Sequence, residues 1–180
     1  SIPAERMAYA LNQRLPDDIV IVSSKEVPLD WHPRYQDEIL KTYEYHIYNA
    51  PVQNPLKRRY SAFVSFPMNV EKMREGAAYL LGEHDFVSFC NVRTSVEDTV
   101  RTVKELMIEQ EGPDITIRIT GNGFLYNMVR IIAGTLIRVG RGFYEPTKVK
   151  EILEARERTQ AGVTAPPEGL TLVCIEYDGS

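Results

Sequence analysis

The chain has 180 residues, 43% of them hydrophobic and 26% charged, the balance of one sizeable globular domain or a domain plus a fragment. A formal net charge of −4 argues against nucleic-acid binding by bulk electrostatics, though not against a local basic groove. The most apolar run is interrupted by Arg130 and Arg138, so it falls short of the ~18 residues that mark a membrane span.

Residues 3 to 15 predict a helix, with Pro3 in the first turn and Met7, Ala10, Leu11 and Leu15 on one apolar face. Ile19 to Val22 predicts a short buried strand. Residues 28 to 36, PLDWHPRYQ, predict an irregular loop carrying Arg34. That loop is either a linker with an aromatic anchor or a presenter of Arg34 to a ligand. Residues 41 to 49 predict the clearest strand, with Tyr43, Tyr45 and Ile47 on one face. Tyrosines so placed serve cross-strand packing, or stack against a base at a pocket edge.

Lys57-Arg58-Arg59 is the densest basic cluster, either a solvated tip or a phosphate contact. Tyr60 to Phe66 predicts a strand. Asn69 caps a helix from about Val70 to Leu81, with Met73, Ala77, Leu80 and Leu81 inward and Gly82 as its stop. His84 to Phe89 is a short apolar piece, and residues 91 to 98 read as loop. Thr99 to Gln110 predicts a long alternating strand, which turns at Gly112-Pro113 and pairs back antiparallel with the next.

That next stretch, Asp114 to Gly142, organises the rest. Ile115, Ile117 and Ile119 alternate with polar residues, and Gly121-Asn122-Gly123 predicts a reversal through positive φ. From Phe124 to Val139 the chain is apolar almost all round, as a buried helix would be. Arg130 interrupts it, and a charge there is expensive unless a carboxylate or an anionic ligand pairs with it. Gly134, one turn beyond, would let another backbone approach the same face. An amphipathic helix follows with Val149, Ile152 and Leu153 inward, then an irregular stretch at 159 to 169 and a last strand from Leu170 to Tyr177. The mixed order predicts an α+β fold, a mostly antiparallel sheet with helices on one face.

Periodicity names no reaction. The chain has no P-loop, dinucleotide fingerprint, HExxH or nucleophile elbow. Cys90 and Cys174 read as reduced thiols of a cytoplasmic protein, and His32, His46 and His84 are too scattered for a metal site.

Four separated motifs do carry a resemblance. GNGFLYNMVRIIAGTLIRVGRG, WHPRYQDEILKTYEYHIYN, LLGEHDFVSF and TAPPEGLTLVCIEY stand in the order and spacing of the tRNA pseudouridine synthase A family, which the chain resembles over nearly its whole length. The resemblance implies a two-domain enzyme that isomerises uridine to pseudouridine in the anticodon arm of tRNA, around positions 38 to 40. It implies no cofactor, no required metal, and a homodimer with tRNA contacting both subunits. Residue by residue, it makes Tyr43 the tyrosine that packs on the target base and Arg130 the partner of the catalytic aspartate. Leu170 becomes an apolar pocket residue and Arg34 the arginine of the preceding loop; apart from the resemblance, Arg58 of the basic cluster is a candidate substrate contact.

One departure stands out. The family's nucleophile is an aspartate in a G-R-T-D-A-G-V-H-A motif, and no such motif occurs in these 180 residues. The expectation is therefore a fragment: residues 1–27 as the tail of a first domain, 28–180 as the second, inactive alone because the aspartate lies upstream. A non-catalytic RNA-binding domain on the same scaffold, and a domain serving mainly dimer assembly, are the alternatives.

Overall fold

The computed structural model describes residues 2–33, 39–91 and 98–177, and the Arg34 expectation lies outside them. The chain divides into two compact units, residues 1–37 and 38–180.

In the first unit, helix α1 spans Ala4–Asn12. Ser24 Oγ accepts from the Ala8 amide at 3.0 Å and donates to the Ala4 carbonyl at 2.6 Å. Residues 19–22 are not the buried strand their composition predicts. The Asn12 side-chain amide meets both the N–H and the C=O of Ile21, at 2.8 and 2.9 Å. A side chain thus supplies the partner that a neighbouring strand would otherwise supply. Val22 is 95% exposed.

The second unit is built on a sheet in which one long strand, β1 (Ile39–Asn49), pairs with three others. The later strands are β2 (Ala62–Val64), β3 (Gly82–Asp85), β4 (Val100–Glu111), β5 (Asp114–Gly121) and β6 (Leu170–Tyr177). Their order is β2-β1-β5-β4-β3, with β6 also on β1. A strand has two edges. Antiparallel β5 takes one edge of β1, so β6 and β2 share the other, β6 along Ile39–Tyr45 and β2 along Ile47–Asn49. Only the β1–β2 pairing is parallel, as an α+β fold with a mostly antiparallel sheet requires.

Helices α2 (Val70–Ala78), α3 (Met128–Gly140) and α4 (Lys148–Ala155) enclose one core with the sheet's inner face. Tyr45, Ile47, Ile115, Ile117 and Ile119 come from the strands, and Met73, Ile131, Leu136, Val149 and Ile152 from the helices. Each fully buried large side chain contributes about 1.5–3 kcal/mol. Asn69 caps α2 as expected, its Oδ1 accepting from the Lys72 amide at 3.0 Å.

Four local expectations are corrected. The strand expected over 60–66 is only Ala62–Val64. Helix α2 ends at Ala78, so Leu81 lies beyond its inward face and is exposed. The strict alternation expected along β4 breaks at a bulge between Val103 and Glu105, which lets Val103 face the core together with Ile108. Gly121 and Gly123 have no positive φ; the left-handed residue is Asn127, at φ 61°, and α3 begins only at Met128. Gly121 is needed for another reason, since a Cβ there would sit 2.6 Å from the Thr102 carbonyl oxygen.

Among the described residues, no helix is long and apolar enough to cross a membrane.

Candidate functional site

The site forms where β1, the start of α3 and the segment 161–170 meet. Alternation along β1 sends Tyr45 inward, where it is fully buried. Its hydroxyl donates to the Pro166 carbonyl at 2.7 Å. Burial pushes the Tyr45 phenol well above its usual range; the Arg130 guanidinium opposes that rise and Glu168 adds to it. Tyr45 is therefore a neutral, fixed hydrogen-bond donor, and the charges around it belong to Arg130 and Glu168.

Arg130 is half-buried on the first turn of α3. Its Nε donates to the Ala165 carbonyl at 2.8 Å, and Nη1 donates to Asn127 Oδ1 at 3.0 Å. The Ala165 amide donates in return to the Arg130 carbonyl at 3.1 Å. The partner expected for Arg130 was a carboxylate or an anion. Among the described residues the guanidinium has no ion pair. Arginine carries five N–H donors, so two bonds orient the fork and leave it capacity for a bidentate acid.

The segment that meets Arg130 is docked by a close backbone approach. A Cβ at Gly134 would overlap the Val163 carbonyl oxygen, so the glycine expected to admit a neighbouring backbone does so. Thr135 Oγ1 accepts from the Gly162 amide at 2.9 Å and donates to the Ile131 carbonyl at 2.8 Å. Arg158 adds bonds to the Gly162 carbonyl at 3.0 Å and to Thr164 Oγ1 at 3.2 Å. These contacts satisfy an irregular segment that has no sheet partner of its own.

Tyr43 lies two residues before Tyr45 on β1 and is only half-buried. Its ring meets Phe124 edge-on, with centroids 5.2 Å apart. Leu170 opens β6 opposite Tyr45 and is also half-buried. One strand pair thus carries Tyr43, Tyr45 and Leu170, and the segment leading into Leu170 is the one that binds Arg130. Arg58 stands apart on the exposed 54–61 loop. Its neighbour Lys57 is ion-paired with Asp114 and lies 5.1 Å over the Tyr48 ring, which makes Lys57 a structural member of the basic cluster.

Sequence reasoning missed Tyr45, Asn127 and Glu168. Tyr45 read as packing because nothing local marks its hydroxyl. Asn127 could have been found as a polar residue just before an apolar helix. It does not cap a backbone amide; it accepts from Arg130 three residues on. Among the described residues, no group of three or more His, Cys, Asp or Glu side chains could hold a metal ion.

Comparisons with known proteins converge on one family. The profile described as tRNA pseudouridine synthase matches residues 77–178. The chain is 47% identical over 177 residues to the tRNA pseudouridine synthase A of Brevibacillus brevis, covering 98% of this chain and 72% of that protein. It is 49% identical over 176 residues to the protein of the same name from Thermoanaerobacter pseudethanolicus, covering 98% and 72%. The Bacillus subtilis counterpart is 47% identical over 178 residues, covering 99% and 72%.

Proposed function

The chain belongs to the tRNA pseudouridine synthase family, and on that premise we propose that it holds the target uridine of a tRNA anticodon arm for isomerisation to pseudouridine. In this reaction the N-glycosidic bond breaks, the base turns, and it rejoins the sugar through carbon, with no atom gained or lost overall. The nucleotide leaves its stack to reach the site. The half-buried Tyr43 ring is the face against which the base packs, Leu170 is an apolar wall, and Arg130 is the counterion of the catalytic carboxylate. Arg34 and Arg58 are further contacts to the RNA in this reading. The functional assembly is a cytoplasmic homodimer.

The observation that carries the reading is the state of Arg130. Its guanidinium is held at two points by a backbone carbonyl and an asparagine, neither of which neutralises it. A half-buried, oriented cation with no acid partner among the described residues is arranged to receive one. No aspartate within residues 1–180 lies in the family's nucleophile motif. In the proposal that aspartate comes from a preceding domain, to which residues 1–27 belong, while residues 28–180 supply the platform.

The test is pseudouridine formation on unmodified tRNA by this chain, beside a protein extended upstream through a G-R-T-D-A-G-containing segment. The expected result is turnover only in the extended protein. Turnover by the chain itself would overturn the assignment of the nucleophile. RNA binding without turnover in either would favour a non-catalytic RNA-binding domain.

A further inference from the structure

A groove of about 320 Å³ borders the segment that Arg130 and Tyr45 hold. Strand β2 supplies Phe63, the last turn of α3 supplies Arg138, the residues just after it Arg141 and Phe143, and the docked segment Val163 and Pro166. Pro166 belongs to both places, since its carbonyl accepts from Tyr45. No aspartate or glutamate lines the groove.

The two arginines face aromatic rings instead of acids. The Arg141 guanidinium lies 4.5 Å from the Phe66 ring centroid and 4.9 Å from that of Phe143. The Arg138 guanidinium lies 5.4 Å from that of Tyr144. Neither has an ion pair among the described residues. The C-terminus of α3 accounts for cations at this place, because the helix dipole is negative there. It does not account for Phe66 and Phe143 standing 58% and 61% exposed around one of them. A guanidinium beside exposed rings, a second cation with no ion pair among the described residues and a cavity in the size range of small-ligand sites suit a base with its phosphate.

We propose that this groove is a second nucleotide subsite, taking an unstacked base that neighbours the isomerised uridine in the bound RNA. Phe143 and Arg141 are its stacking faces, and Arg138 meets the phosphate. The assignment rests on the function proposed above and adds to it where the flanking nucleotide goes.

The test uses this chain and a short RNA stem-loop with 2-aminopurine next to a loop uridine. Binding to the unaltered chain is expected to change the 2-aminopurine fluorescence. Phe143→Ala and Arg141→Ala should each weaken binding about tenfold, the loss expected when one base stack is removed. Arg138→Ala, which removes the proposed phosphate contact, should lower the slope of log affinity against log salt by about 0.7. Val163→Glu, at an exposed position, should weaken binding by placing a carboxylate against the phosphate. Circular dichroism checks that all four fold. If the RNA binds but the variants match the parent in affinity and salt slope, the subsite is overturned and the proposed function stands. If the stem-loop does not bind at all, both fall. If the variants instead abolish self-association in sedimentation and leave RNA affinity unchanged, the groove is an interface between copies and the subsite is overturned.

Discussion

Arg130 and Ala165 bind each other twice, the arginine Nε donating to the Ala165 carbonyl at 2.8 Å and the Ala165 amide donating to the Arg130 carbonyl at 3.1 Å. One residue on the buried helix thereby fixes both its own guanidinium and the segment 161–166. Orientation of the charge and placement of that segment are a single event, so disturbing either disturbs the other.

Arg130→Lys keeps the charge and loses the fork. An ammonium cannot reproduce the bonds to Ala165 and Asn127 while also offering two parallel donors to an acid. In the extended protein, turnover on tRNA should fall about tenfold to a hundredfold, since a hydrogen bond to a charged group contributes about 1.5–3 kcal/mol. Tritium release from C5-labelled uridine reads the outcome directly. Unchanged turnover in the lysine variant would show that charge alone suffices and that the fork has no role.

Gly134→Ala should cost about 2–3 kcal/mol in urea unfolding, because its Cβ would press on the Val163 carbonyl and one of the two backbones must move. Gly112→Ala makes a useful contrast. Gly112 has φ 57° and open space around it, so only the local backbone strain of about 1–2 kcal/mol applies. A substitution at Gly134 as mild as one at Gly112 would mean that the docked segment yields freely.

Tyr45→Phe removes the bond to Pro166 and leaves that carbonyl short of a partner, for a loss of about 1–2 kcal/mol. The pH dependence follows from the raised phenol. In the folded chain Tyr45 resists ionisation, while in the unfolded chain it ionises near pH 10. Its contribution is therefore complete below pH 10 and declines as pH rises beyond that, because only the unfolded state gives up the proton. Unfolding midpoints in alkaline buffers should fall less steeply for Tyr45→Phe than for the parent. Parallel curves would contradict the buried, neutral phenol.

Tyr43 offers a face, not a hydroxyl, in the proposed site. Tyr43→Phe should leave stem-loop affinity within about twofold, whereas Tyr43→Ala should lose about tenfold, as removal of one stacking ring does. Equal loss in both variants, measured by fluorescence anisotropy, would transfer the role from the ring to the hydroxyl.

Much of the fold was legible because it rests on local periodicity. Ile115, Ile117 and Ile119 alternate into the core, Asn69 caps α2, and Val149, Ile152 and Leu153 form one face of α4, as their spacing dictates. The misses share a cause. Val103 turned inward because a bulge, set by pairing with β5, shifted the phase of β4. Residues 19–22 look like a strand to any propensity argument, yet the backbone of Ile21 is met by the Asn12 side chain and the Ile19 amide by the Pro16 carbonyl. In each case a group outside the segment supplied the competing hydrogen bond, and the segment's own pattern does not show it.

The sequence by itself determined most of the strands and helices, most of the faces they bury, and, through four motifs in register, the family to which the chain belongs. It also marked Arg130 as a charge in need of a partner and Gly134 as a place of close approach. Only the tertiary structure decided what that partner is among the described residues: the Ala165 carbonyl and the Asn127 side chain, not an acid. The reason is physical. A charge on an apolar helix announces its desolvation cost in the sequence, but the group that offsets the cost lies 35 residues away and is a backbone oxygen, which every residue possesses.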